Sequence, residues 1–230
     1  MKKLVLKSIA ILFFLTSSSI WSQESEMNED YGIWAGVGLN YEFNKKWKTS
    51  LTQEFRSFDD ALELHKSITD LGLTYRINKK FKLGVNARYA YARKKDYTFT
   101  HDTRFNFDFK FKKKLTKKLD LLYRFRFQYS YINLFTFVPD VGRKANARNR
   151  IKIEYDLNKH SIYFASELFR EFVVYKDPSF NNLRISLGDQ FETALGDFNY
   201  ALAYERELNE TNPLNFFFLK LNYIFELKRD

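Results

Sequence analysis

From residue 31 onward the chain alternates apolar and polar positions in long runs separated by short polar breaks. In RFNFDFKFK, residues 104–112, Phe105, Phe107, Phe109 and Phe111 take every second place, with Arg104, Asn106, Asp108, Lys110 and Lys112 between them. A period of two over such a length predicts a strand, because successive side chains of a strand point to opposite faces. Further segments with this pattern cover 31–43, 47–57, 65–77, 81–93, 119–132, 145–157, 160–172, 183–194, 197–207 and 215–227. With 98–112, eleven segments are predicted. Bacterial single-chain barrels have even strand numbers, so the odd count predicts either one further weak strand, in 23–31 or a loop, or one misassigned segment.

The segments are twice as long as strands of soluble proteins, which run to about five or six residues. At roughly 3.3 Å per residue and a tilt near 45°, twelve residues rise about 28 Å, the hydrocarbon thickness of a bilayer. The connections alternate as well. Tight ones (NKK at 44–46, NKK at 78–80, KKLTKK at 113–118, NK at 158–159, LG at 195–196) are interleaved with longer ones such as FDDALEL, NLFTFVPDVGR, YKDPSFNNL and LNETNP. Tight turns at one end and longer loops at the other predict an antiparallel transmembrane β-barrel of 10–12 strands of the outer-membrane type, with the tight turns facing the periplasm.

Lipid offers no hydrogen bonds, so the outward side chains of such a barrel must be apolar. That places Phe105, Phe107, Phe109, Phe111, Phe125 and Phe127 against lipid. The intervening charges then line the lumen: Arg56, Arg88, Arg104, Arg124, Arg126, Arg148, Arg150 and Arg184, with Glu54, Asp70, Asp102, Asp108, Glu154, Glu167, Glu192, Glu205 and Glu226 among them. Aromatic residues beside the tight turns (Phe43, Trp47, Phe81, Phe111, Tyr155, Phe225) occupy interfacial-girdle positions.

Composition bears on location and chemistry. Residues 1–22 combine Lys2, Lys3 and Lys7, the apolar run IAILFFLTSSSIW and the small residue Ser22, the marks of a secretory signal peptide that would leave a mature barrel of 23–230. Its removal lowers the formal charge from +10 to +7. The absence of cysteine excludes disulfides, thiolate metal sites and a cysteine nucleophile. No Gly-rich phosphate loop or zinc-ligand spacing is present, so nucleotide chemistry, a metal and a cofactor are not expected, and lysines scattered over tight turns do not make a nucleic-acid surface.

YGIWAGVGLNYEFNKKWKTSLTQEFRS at 31–57 and FKLGVNARYAYARK at 81–94 resemble the DUF2490 family of bacterial proteins. The family's strand-one tryptophan, lysine-rich turn and acidic–aromatic–arginine strand end correspond to Trp34, Lys45 and Lys46, and Glu54, Phe55 and Arg56. ELFREF at 167–172 and LKLNYIF at 219–225 extend the likeness over nearly the whole mature chain. The resemblance implies an outer-membrane barrel and supplies no activity.

Three functional expectations follow. The first is an outer-membrane barrel that is structural, its lumen closed by ion pairs, or that passes small anionic solutes drawn by arginine rows. A second is a lipid-modifying enzyme: His65 and Ser67, two apart on an outward face, are similar to the arrangement of an outer-membrane phospholipase, with Gln53 as a candidate third group and Asn86 of inward parity. The third is a secreted, soluble ligand-binding barrel with the aromatic rows inside. No catalytic role is expected, His101 and His160 read as interfacial, and outer-membrane lipids are the expected surroundings. The polar outward positions Thr49, Gln53, Ser57, His65, Ser67 and Thr69 predict the barrel rim or a partner surface.

Overall fold

The computed structural model describes residues 28–58, 61, 63–93, 98–131, 143–173 and 177–228. The expected signal peptide at 1–22 and most of the loop NLFTFVPDVGR lie outside them. The described residues form one closed barrel of eleven strands: β1 Glu29–Glu42, β2 Trp47–Phe58, β3 Glu63–Arg76, β4 Phe81–Arg93, β5 Phe99–Lys114, β6 Leu119–Tyr131, β7 Arg143–Leu157, β8 His160–Phe172, β9 Ser179–Glu192, β10 Gly196–Glu207 and β11 Asn215–Lys228. Each predicted segment is a strand. The largest boundary difference is at β9, which begins at Ser179 because its early residues pair with β8 across a register shift at Phe169 and Arg170.

Neither expected remedy for the odd count is needed among the described residues. Ten neighbouring pairs are antiparallel, but β1 and β11 run in the same direction and close the barrel in parallel, from Glu29↔Asn215 to Glu42↔Lys228. An odd number of up-and-down strands leaves the first and last pointing the same way, so closure has to be parallel. The expectation of a wholly antiparallel barrel is corrected at this one seam. Side chains are sorted by size there. Inward-facing Gly32 and Gly36 of β1 lie opposite the bulky inward residues of β11; a Cβ on Gly32 would meet the Phe216 ring at 2.5 Å, and one on Gly36 the Asn222 amide oxygen at 2.6 Å. The glycines make room for the side chains that fill the seam.

The tight turns share a local design. Asn44 Oδ1 accepts from the N–H groups of Lys46 and Trp47, and Asn78 Oδ1 from those of Lys80 and Phe81. Thr116 Oγ1 does the same for Lys118 and Leu119. A short polar side chain thus caps the turn while two lysines project from it. In the two-residue turn between β7 and β8, Asn158 adopts φ 70°, a left-handed conformation asparagine tolerates.

Alternation sorts the two faces as period two requires. Outward positions carry exposed apolar side chains, including Val37, Leu51, Leu71, Val85, Phe105, Phe107, Phe127, Ile151, Phe164, Leu187 and Leu202. Phe109 and Phe111 share this face, where Phe81 packs against both, at 5.7 and 5.2 Å between ring centroids. Phe125 sits beside them, opposite Phe109 across β5 and β6. Toward the tight turns Trp47 meets Tyr75 at 4.7 Å and Tyr223 meets Phe225 at 4.8 Å. Toward the loops Tyr91 stacks on Phe99 at 4.9 Å and Tyr31 on Phe217 at 5.5 Å. An apolar outer band between two aromatic rows is the architecture of an outer-membrane-type barrel. Asp108, at 0 % exposure, lies inside, among buried polar residues such as Glu167 and Gln128 and buried apolar ones such as Trp34 and Phe218.

Candidate functional site: the barrel lumen

The inward residues fall into two tiers. At mid-height lies an arginine layer to which all eleven strands contribute. Arg126 from β6 donates Nε and Nη2 to the two oxygens of Asp108 at 2.6 and 2.8 Å, a two-point fork. Arg88 pairs with Asp70, Nε to Oδ2 at 2.7 Å, and Arg56 with Glu54, Nε to Oε1 at 2.7 Å. Glu167 from β8 gathers Arg124 at 2.6 Å, Arg148 at 3.0 Å and, more distantly, Arg184 at 3.9 Å, while Arg184 is bonded to Glu205. Arg104 donates to Ser130 at 3.1 Å. Pairing is needed here because a charge removed from water costs several kcal/mol when left alone.

Aromatic rings complete the layer. Trp34, on the seam, stacks on Phe218 with centroids 3.9 Å apart, and the Arg56 guanidinium lies 3.6 Å over its ring. Arg184 approaches the same indole at 5.1 Å, and Arg148 lies 4.3 Å over Phe169. A guanidinium on an aromatic face gains roughly 0.5–2 kcal/mol and keeps its edge free for carboxylates. Trp34, Phe169 and Phe218 were not singled out as lumen residues from sequence, although the even parity of Trp34 within β1 was a usable signal.

Nearer the tight turns the cations change to lysine. On β2, β4, β5 and β7, Lys48, Lys82, Lys110, Lys112 and Lys152 each lie between the arginines of their strand and its tight turn. Lys48 meets Glu226 at 3.0 Å, Lys112 meets Asp120 at 2.7 Å, and Lys152 pairs with Glu154. Lys220 lies 3.8 Å from Glu54 and Lys110 3.5 Å from Asp108. Two further lysines, Lys66 and Lys144, sit toward the loop end. Arg150 faces the Tyr163 ring at 6.0 Å. Glu192 is exposed at the end of β9, where the strand leaves the lumen, and does not join either tier. Asp102 lies in β5 toward the loop end.

Two cavities open beneath the arginine layer. One, of about 270 Å³, is lined by Trp34, Arg150, Lys152, Glu167, Arg184 and Lys220 among others. The second, of about 230 Å³, is lined by seven cations, Lys80, Lys82, Lys110, Lys112, Arg124, Arg150 and Lys152, with Phe111, Leu122 and Tyr123 and no acidic residue. Arg150 and Lys152 belong to both.

The outer face does not assemble the His65–Ser67 pair. Ser67 Oγ accepts from the Gln53 amide at 2.9 Å, and His65, displaced at the register shift opposite Arg56 and Ser57, sets Nδ1 2.6 Å from the Arg93 carbonyl. Thr69 donates to Gln53 Oε1 at 2.6 Å and Thr49 to the Gly72 carbonyl at 2.9 Å. Gln53, Ser67 and Thr69 therefore satisfy one another at mid-strand, and Thr49 a backbone carbonyl near the tight-turn end, away from the loop-end rim that was one of the two places expected for them; Ser57 and His65 are the ones near the loop end. Asn86 is inward, on the other side of the sheet. His101 Nδ1 lies 2.6 Å from the Tyr89 hydroxyl. His160 contacts Asp189 at 2.7 Å, and the Tyr200 hydroxyl and Ser161 N–H also donate to that carboxylate. Asp189 is an acid on the outward face that sequence reading did not flag. Among the described residues no cluster of metal-ligating side chains is present.

No curated protein matches the chain. Among solved structures it is similar to the β domain of the Bordetella autotransporter Brka, with TM-score 0.42 and 9% identity, covering 77% of this chain and 82% of that one. A family model described as a protein of unknown function, DUF2490, matches residues 31–213. With the match spanning most of its strands, the chain belongs to the DUF2490 family.

Proposed function

We propose that this protein is an outer-membrane barrel, tight turns toward the periplasm, whose lumen is barred at mid-height by the arginine layer, so that its resting role is structural and not that of an open pore. The observation that carries this reading is the layer of Arg–carboxylate pairs around Asp108 and Glu167, supplied by β2 to β10 and closed at the seam by Trp34 of β1 and Phe218 of β11. The outer face supports the membrane setting: exposed Phe, Leu, Val and Ile side chains would be a large aggregation surface in water, whereas lipid covers them at no cost. Among the described residues the His65–Ser67 pair is not assembled as nucleophile and base, since Ser67 is engaged by Gln53 and His65 by a backbone carbonyl.

A second reading is favoured by the cation-lined cavities. Narrow passage of small anions needs only that the arginine layer open transiently, and rings of basic side chains select anions in pores. Planar-bilayer recording of the purified mature protein tests both. Silence across applied potentials fits the barred lumen, and steady anion-selective steps replace it with the passage reading. Mature protein recovered in the aqueous fraction, with its Phe rows shielded from a membrane-soluble quencher, would overturn the membrane setting and favour a secreted ligand-binding barrel.

A further inference from the structure

The cavity between the arginine layer and the tight turns holds more positive charge than its surroundings neutralise. Lys82, Lys110, Lys112, Arg124, Arg150 and Lys152 line it without an acid among them. The nearby carboxylates are already engaged: Asp108 by the Arg126 fork, Asp120 by Lys112, Glu154 by Lys152, and Glu167 by Arg124 and Arg148. Among the described residues neither Lys82 nor Arg150 has a carboxylate within 4.0 Å. Arg124 spends one nitrogen on Glu167, but its Nε is buried with no acceptor. A buried donor without a partner is costly, and so is a cluster of like charges in a lumen walled by lipid. The clustered charge is relieved by an anion in the cavity.

The chemistry of the lining narrows the ligand. Flexible ammonium groups arriving from several strands, with two guanidinium groups among them, suit a compact oxyanion of more than one charge better than a flat single carboxylate. A volume of about 230 Å³ exceeds the roughly 30 Å³ of one water several-fold, so a phosphate or pyrophosphate unit fits. We infer that the lysine tier is a binding site for a phosphate-class anion, free or borne on a larger molecule, entered from the tight-turn end. This rests on the proposed barrel with its charged lumen, and it does not require conduction.

The test is calorimetric titration of pyrophosphate into the folded mature barrel in non-ionic detergent, at constant ionic strength set with chloride, with heat-modifiable gel mobility as the check on folding. Saturable binding is expected, weakened by about tenfold or more in the Lys82→Ala, Lys110→Ala double variant and unchanged in Lys144→Ala, whose partner Glu171 lies toward the loop end. Repeating the titration with phosphatidic acid in the micelles separates the sources: displacement of pyrophosphate assigns the site to a lipid headgroup, and undiminished binding assigns it to a free anion. A folded barrel with no heat beyond that of chloride, or a double variant that binds like the parent, overturns the inference. The outcome is distinct from that of bilayer recording. Binding by a silent barrel supports the site and the barred lumen together, whereas a conducting barrel that neither binds pyrophosphate nor is blocked by it removes the site and leaves anion passage standing.

Discussion

The two tiers of the lumen carry the same sign of charge and differ in how it is held. In the mid-height layer the paired arginine side chains are 10–20% exposed, locked by forks and aromatic faces. Toward the tight turns Lys48, Lys110 and Lys112 are 33–41% exposed, with Lys152 at 19%, and each meets its carboxylate through a single ammonium nitrogen. Guanidinium is planar, weakly hydrated and able to bond two oxygens while stacking, so it can be desolvated in company; ammonium is a strongly hydrated point charge and stays where water or a mobile anion reaches it. The lesson is that one barrel interior can be both a strut and a receptive surface, with the division made by choice of cation.

The sharpest way to break the comparison is to remove one acid from each tier. Asp108→Ala leaves the largely buried Arg126 without its carboxylate and is expected to lower stability by about 3–5 kcal/mol, read as a shift of the urea unfolding midpoint in micelles or vesicles. Asp120→Ala, which frees Lys112 near the mouth, is expected to cost about 1 kcal/mol or less. Equal losses would mean that the tiers do not differ. Trp34→Ala removes the surface on which Arg56 and Phe218 stack and should cost about 3–5 kcal/mol. It also thins the barrier at the seam, so conductance events absent from the parent protein are expected in planar bilayers.

Orientation underlies the comparison, and Phe107→Arg tests it with a somewhat smaller effect. A cation near mid-membrane on the lipid face should cost roughly 2–4 kcal/mol of folding stability in vesicles. An unchanged midpoint would place that face in water. The smallest expected effects come from exchanging the cations. Arg126→Lys loses one arm of the fork and should cost about 1–2 kcal/mol, whereas Lys112→Arg should change the midpoint by under about 0.5 kcal/mol.

Local pattern carried most of the architecture. The alternation in RFNFDFKFK separates Phe105 and Phe107 from Asn106 and Asp108 whatever the partner strand, because the pleat itself sends neighbours to opposite faces. The parity of Arg88, Arg126, Arg148 and Arg184 followed the same logic. What lay beyond reach depended on relations between distant strands. That Ser67 would bond to Gln53 instead of His65, and that Asp189 would be covered by His160 and Tyr200, depends on cross-strand register, which a one-residue shift rewrites.

By itself, then, the sequence determined the strands, their length and the sorting of greasy and charged faces, since these follow from backbone geometry one residue at a time. Only the closed tertiary structure decided that β1 meets β11 in parallel, that Trp34 joins the arginines in the barrel's middle, and that the lysines below surround a cavity with no acid on its wall. Closure brings residues nearly two hundred positions apart into contact, and no local rule of alternation specifies which of them meet.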